Sequence, residues 1–297
     1  MLESQFIVHT SKPALISRNP TGAASPLEGH AAPEMKQIYR QLALSLCLGA
    51  ASMASTTLNG VTLEPISGLS SDSSYASWND LSSSTITTTG GFPGNSIWSP
   101  INSQNNQNDP STQLTKISNG AEGGAFVASS SIYFGGFSSS SNLFGGTLSL
   151  STSDPIVGLQ TILFQIQIGE AYGYDFYNHE LPLLSYTLSG DSTIYTIVAS
   201  GSSLYDQFDA GTFSTPDGDE VLYTNTYALW FDLSGIVGDI DRFDITWSAV
   251  QHAQIYGISI QQDDTTVDAS ILPAAVPEPA ISLLSAIGLA GLIRRRR

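Results

Sequence analysis

Four runs in the second half of the chain alternate apolar and polar residues with a period of two. In "TILFQIQIG", Ile162, Phe164, Ile166 and Ile168 share one face and Gln165 and Gln167 the other. "YTNTYALWFDL" puts Tyr227, Leu229, Phe231 and Leu233 together, and "RFDITWSAV" does the same for Phe243, Ile245, Trp247 and Ala249. "HAQIYGISIQQ" groups Tyr256, Ile258 and Ile260. Such alternation marks half-buried β-strands, because successive side chains point to opposite faces of a sheet. Shorter runs at 131–134, 147–150, 184–188 and 193–198 carry the same signal more weakly.

Turn-forming clusters separate these runs: "TGGFPGN", "LSGD" and "STPDGDE". "SQNNQNDPST" and "FSSSSN" are polar throughout and predict long exposed loops. No stretch between residues 55 and 272 sustains an apolar period of 3.6, so helices should be few and short. The strands are half polar, which excludes a parallel sheet buried on both faces. The expected fold is all-β: an antiparallel β-sandwich, jelly-roll-like, over residues 55–272. No fixed-period repeat suggests a propeller or solenoid.

The two ends follow a different pattern. From Met35 a positive segment with Lys36 and Arg40 precedes an apolar run at 42–51, and Ser52 and Ala54 supply small residues for a peptidase. That layout predicts a signal peptide over 35–54, a signal helix removed on export. Residues 1–34, ahead of it, read as an over-extended start, with a disordered leader as the alternative. At the other end, residues 280–293 are uncharged and apolar apart from two serines, and Arg294, Arg295, Arg296 and Arg297 follow. Fourteen residues is short for a spanning helix, which needs about 20. Snorkelling arginines lengthen the effective span and mark its cytoplasmic end. A membrane-type helix over 280–293 is therefore expected.

The order Pro277-Glu278-Pro279, apolar run, arginine cluster resembles the PEP-CTERM sorting signal of exported proteins of Gram-negative bacteria, here over 273–297. The resemblance implies passage through the secretion machinery, a transient stay in the inner membrane, and processing by an exosortase-type protease. Its product would reach the outer membrane, the cell surface or an extracellular matrix of polysaccharide. It implies nothing about the domain upstream.

Composition narrows the partners of that domain. The chain has a net charge of −16, and Lys116 and Arg242 are the only basic residues between Ser55 and Val276. All but four of the 26 acidic residues (Glu3, Glu28, Glu34 and Glu278 being the four) fall in that interval. Such a surface repels nucleic acid and anionic lipid. The only cysteine, Cys47, lies inside the signal's apolar run, so no disulfide holds the exported domain.

Candidate chemistry is sparse. Asp217 and Asp219 in "TPDGDE", with Asp239 and Asp241 in "GDIDRFD", are oxygen ligands in glycine-containing loops and suit a structural calcium ion; the alternative is that they are solvated turn residues. No cofactor is otherwise required. Among the tryptophans, Trp247 belongs to a core stripe, whereas Trp230 points away from its apolar neighbours. Trp230 and Trp78 are the candidates for stacking on a sugar ring, against the alternative that both pack inside. Asp175, His179 and Glu180 in "GYDFYNHELP" lack the further ligands a metal site needs. No carboxylate pair, nucleophile elbow or phosphate loop stands out, so no catalytic residue is assigned. The sequence thus predicts an exported surface or matrix protein, non-catalytic and a candidate glycan binder. The alternative is a secreted polysaccharide-active hydrolase or lyase on the same fold.

Overall fold

The computed structural model describes residues 62–276, apart from residue 110 and residues 216–217. The predicted leader, the signal at 35–54, Pro277-Glu278-Pro279 and the segment 280–297 lie outside the described residues. Among the described residues no helix is long and apolar enough to cross a membrane.

Numbered in chain order, the strands form two antiparallel sheets. One runs β11 (Gly201–Thr215), β12 (Gly218–Asp232), β8 (Thr161–Gly169), β14 (Gln254–Asp263), β1 (Ser74–Trp78), β3 (Asn105–Gln107). The short pair β5 (Ala125–Val127) and β6 (Ile132–Phe134) joins it at the start of β14. The other sheet runs β10 (Tyr195–Val198), β9 (Leu183–Leu188), β13 (Ile240–Val250), β7 (Phe144–Thr152), β4 (Gln113–Asn119), β2 (Ile101–Asn102). Two short 3-10 turns, Tyr177–His179 and Ala269–Ile271, are the helical elements among the described residues.

The alternating stripes meet between the sheets. Ile162, Phe164, Ile166 and Ile168 of β8 and Phe243, Ile245, Trp247 and Ala249 of β13 all lie in one buried core, with Leu229 and Phe231 of β12. Phe164 and Trp247, from opposite sheets, have ring centroids 5.5 Å apart. Burying a side chain of this size stabilises the fold by about 1.5–3 kcal/mol, and this stripe is why a period-two sequence settles as a two-layer stack.

The outer faces of the two sheets differ. That of the β13 sheet is hydroxyl-rich: Thr147 and Ser248 share a hydrogen bond of 2.9 Å, and Thr246 donates to Ser149 at 3.2 Å. That of the β8 sheet is covered, so the expected polar, half-exposed side of β8 is buried as well. Gln165 donates to the Glu64 carbonyl at 2.9 Å and to Ser259 at 3.0 Å, and accepts from the Tyr205 hydroxyl at 2.7 Å. Gln261 accepts from the Ile66 N–H at 2.7 Å and donates to its carbonyl at 3.1 Å. The chain ahead of β1 crosses this face, and the glutamines are its fastening points.

Two expectations need correction, and one strand gave no signal. The register of β14 shifts between Ile255 and Gly257, which makes Tyr256 an extra residue and takes it off the face of Ile258 and Ile260; Ile255 takes the core position instead. The polar run "SQNNQNDPST" is not wholly loop, since it contains β3. β11, the longest strand together with β12, has no clean alternation because its register shifts twice, between Leu204 and Asp206 and between Asp209 and Gly211.

Candidate functional site

The loops at one end of the stack carry the densest chemistry. They are the segment 89–98, the β4–β5 and β6–β7 connections, the tight β13–β14 turn and the long β8–β9 connection. Backbone bonds tie them together: Gly124 N–H to Pro93 O at 2.9 Å, His252 N–H to Phe134 O at 2.7 Å, and Gln251 N–H to Leu143 O at 2.8 Å.

Glycines permit this packing. A Cβ on Gly123 or Gly135 would stand 2.5 Å from the Pro93 carbonyl oxygen. A Cβ on Gly94 would stand 1.8 Å from the Gly124 oxygen, and Gly94 has a φ of +85°, which L side chains rarely adopt. The "GGFPGN" loop therefore drops into a notch of bare backbone. Lys116 locks it from below, its ammonium donating to the carbonyls of Gly94, Ser96 and Ala125. Lys116 also lies 5.8 Å from the Trp98 ring centre, and burial pushes its amine down to about 8.

Held this way, seven rings form a continuous file across the end of the stack. Phe137 meets Phe92 at 5.1 Å between centroids, Phe92 meets Phe126 at 6.0 Å, and Phe126 meets Tyr133 at 5.6 Å. Tyr133 then meets His252 at 5.8 Å, His252 meets Tyr172 at 6.3 Å, and Tyr172 meets Phe213 at 5.9 Å. Phe92 is 46% and Phe137 69% exposed, while the others in the file are half-buried. The Gln251 side-chain oxygen, next to His252, is buried with no hydrogen-bond partner among the described residues.

Beside the file lies a carboxylate cluster. Asn225 and Tyr227 project from the inner face of β12. The Tyr227 hydroxyl donates to Asp175 Oδ2 at 2.7 Å, and Asn225 Nδ2 donates to the same oxygen at 3.2 Å and to Glu170 Oε1 at 2.7 Å. The other Asp175 oxygen accepts from the Phe176 N–H at 2.6 Å. Asp175 is only 6% exposed. Burial raises the Glu170 pKa, with the charges of Asp175 and Glu220 adding to it. Burial, and then the neighbouring Asp175, drive the Tyr227 hydroxyl far up.

The residues singled out by sequence are scattered by comparison. Trp78 is fully buried and donates from Nε1 to the Ile101 carbonyl at 3.2 Å, so it offers no ring face to a sugar; that assignment is corrected. Trp230 does leave the core stripe, as its alternation requires, but it meets a second layer. Trp230 and Leu272 both lie within 3.5 Å of where a Gly201 Cβ would stand. Asp219 sits at the start of β12, whereas Asp239 and Asp241 follow its far end, about 40 Å of strand away. One ion cannot take ligands from both groups; Asp217 lies outside the described residues. Among the described residues no group of three or more His, Cys, Asp or Glu could hold a metal ion. The β8–β9 loop turns Asp175 inward and leaves His179 and Glu180 exposed, with His179 stacked on Tyr174 at 4.4 Å.

Sequence reading missed the ring file because its members come from six separate segments. One local signal was present: aromatics flanked by glycine, in "GGFPG", "GGAF", "FGGF" and "YGY". Glycine there lets backbones approach; Phe92 and Phe137 beside it reach the surface, whereas Phe134 stays buried.

Among known protein families, the PEP-CTERM protein-sorting motif matches residues 275–297. Comparison with curated proteins and with solved structures finds no match. The motif marks an exported, surface-directed protein and implies processing by an exosortase.

Proposed function

We propose that the exported domain is a non-catalytic carbohydrate-binding module of the cell surface or matrix, which grips extracellular polysaccharide across its file of rings. The observation that carries this reading is the unbroken succession from Phe137 to Phe213, with two exposed phenylalanines at one end. Sugar rings present apolar C–H faces with hydroxyls around the rim, and aromatic surfaces bordered by amides and carboxylates complement both. The acidic surface selects neutral glycans over anionic ones.

We read the sheet order as a jelly roll with additions. β1-β14-β8-β12 and β7-β13-β9-β10 are its two four-stranded sheets, and the chain alternates between them in jelly-roll sequence. The remaining strands widen both sheets; β5 and β6 carry Phe126 and Tyr133, and the connection from β1 to β2 carries Phe92.

One observation favours hydrolysis instead: Glu170 and Asp175 both accept from the same Asn225 nitrogen, so they are as close as a retaining glycosidase requires. Asp175, however, already accepts from three protein donors, on both of its oxygens, and is buried, which favours a structural role over contact with a substrate. The pair serves to anchor the β8–β9 loop.

The test is retention of the exported protein on a panel of neutral and anionic polysaccharides, with reducing ends assayed in parallel. The expected result is retention on a neutral glycan, weakened about tenfold by Phe92→Ser with Phe137→Ser at unchanged melting temperature. Reducing ends that vanish in Glu170→Gln would establish the hydrolase instead.

A further inference from the structure

Both chain segments that flank the β-sandwich lie on the outer face of the β8 sheet, but they are held very differently. The leading segment is fastened through the glutamines and through Tyr75, whose hydroxyl donates to the Leu63 carbonyl; Leu63 is itself fully buried. The trailing segment, residues 269–276, rests along β11. Its polar ties to that strand are the Ser203 hydroxyl donating to the Pro273 carbonyl at 2.8 Å and the Val276 N–H donating to the Leu204 carbonyl at 2.8 Å. Ile271 and Leu272 are only half-buried, Ala274 and Ala275 are exposed, and no residue of the segment belongs to the hydrophobic core.

The second tie falls next to the sorting motif: Val276 is bonded to the sheet, and Pro277 is the next residue. While Val276 is docked, only Pro277, Glu278 and Pro279 separate the folded body from the apolar run beginning at Ala280, a reach of about 10 Å. A protease that must take up extended chain at the membrane surface is then faced by the domain itself, and by an acidic surface that anionic headgroups repel. Freeing residues 269–276 adds about 27 Å of reach and leaves the core intact.

We infer that residues 269–276 form a detachable strap, whose release from the edge of β11 presents the adjacent motif to its membrane protease. This rests on the motif being processed. The strap holds the domain close until it is seized, and its ties are weak enough to open locally without global unfolding. Trp230 reports on it. Trp78, Trp98 and Trp247 are buried in the core, whereas Trp230 is half-buried next to the strap, its indole nitrogen lacking a partner among the described residues.

The experiment uses the full chain in an exporting host, following tail removal after a pulse of synthesis. Ser203→Ala with Leu272→Ser removes one tie and one apolar contact. The purified variant should keep its melting transition, shift its tryptophan emission to the red, and lose its tail about fivefold faster. A Gly/Ser insertion of six residues after Val276 gives slack with the strap still docked. It should accelerate removal similarly, and combining it with the loosened strap should add nothing further. Unchanged or slower removal in a variant whose emission has shifted would overturn the strap, as would an insertion without effect. An unprocessed tail on the unaltered chain would overturn the sorting reading and the strap with it, whereas a processed tail with unmoved variants overturns the strap alone.

Discussion

The Tyr133 hydroxyl donates to Nδ1 of His252, and the opposite ring nitrogen, Nε2, donates to the Ser138 carbonyl at 2.7 Å. Because a carbonyl only accepts, Nε2 carries a proton; burial disfavours the imidazolium, and in the neutral ring Nδ1 is then the acceptor of the Tyr133 hydroxyl. Burial lowers the His252 pKa, against smaller opposing effects of the Ser138 bond and the charge of Glu122.

The sign of the pH dependence follows. With its folded pKa below the ordinary 6.5, the histidine binds a proton more readily in the unfolded chain. Its contribution to stability is fully present above about pH 6.5 and is lost as the pH falls from there towards the folded value. Glu170 acts in the opposite sense: its raised pKa favours the fold below about 4.5 and less so as the pH climbs. Melting temperatures between pH 7.5 and 5 should therefore fall more steeply for the natural chain than for His252→Asn. Asparagine suits the positive φ of 73° at this position. Parallel curves would remove His252 as the cause.

Lys116 tests how the ring-bearing loops are held. Its ammonium satisfies three backbone carbonyls at once, and among the described residues no carboxylate is bonded to it. Lys116→Met keeps the aliphatic stem over Trp98 but leaves those carbonyls without their donor. The expected loss is about 2–3 kcal/mol, seen as a melting temperature lower by about 5–10 °C. Restoration to the natural value in Lys116→Arg is not expected, because a planar guanidinium does not converge on three carbonyls as an ammonium does.

How far the sequence could be read depended on the strand. β8, β12 and β13 were legible because each buries an unbroken stripe, and Ile162 to Ile168 or Phe243 to Ala249 can satisfy that stripe in one way only. β11 was not, because its two register shifts break the alternation, and its partner on the outer side is the strap rather than solvent. Gln165 read as part of the polar face of a half-buried strand, since a glutamine that bonds a crossing backbone, as Gln165 and Gln261 do, looks the same in sequence as one that bonds water. The candidate site was the least legible: Phe92 and Phe137 lie 45 positions apart and meet only because of the Gly94, Gly123 and Gly135 notch.

That notch makes Gly94→Ala a sharper lesion than its size suggests. The added methyl would overlap the Gly124 carbonyl and would hold a φ of +85° against its preference. The 89–98 loop should lift from its seat while the distant core stays folded. Glycan retention should fall as far as in the Phe92 and Phe137 double variant, with a melting temperature only a few degrees lower. Retention at the natural level would show that the seat does not organise the rings.

Asp175 separates the anchoring role from a catalytic one. It is buried beneath the β8–β9 loop, and its removal would strand the Tyr227 hydroxyl, one proton of Asn225 Nδ2 and the Phe176 N–H. Asp175→Ala should cost about 3–5 kcal/mol, the scale of breaking a buried network from one side. Asp175→Asn retains an oxygen for Tyr227 but places a second amide against Asn225, so its cost should fall between the natural chain and alanine. Denaturant unfolding followed by tryptophan emission measures both. If the carboxylate were instead held for acid–base work, both variants would fold with natural stability and lose only turnover. The graded loss of stability, with polysaccharide still retained by whatever fraction remains folded, is the outcome that the three hydrogen bonds on Asp175 require.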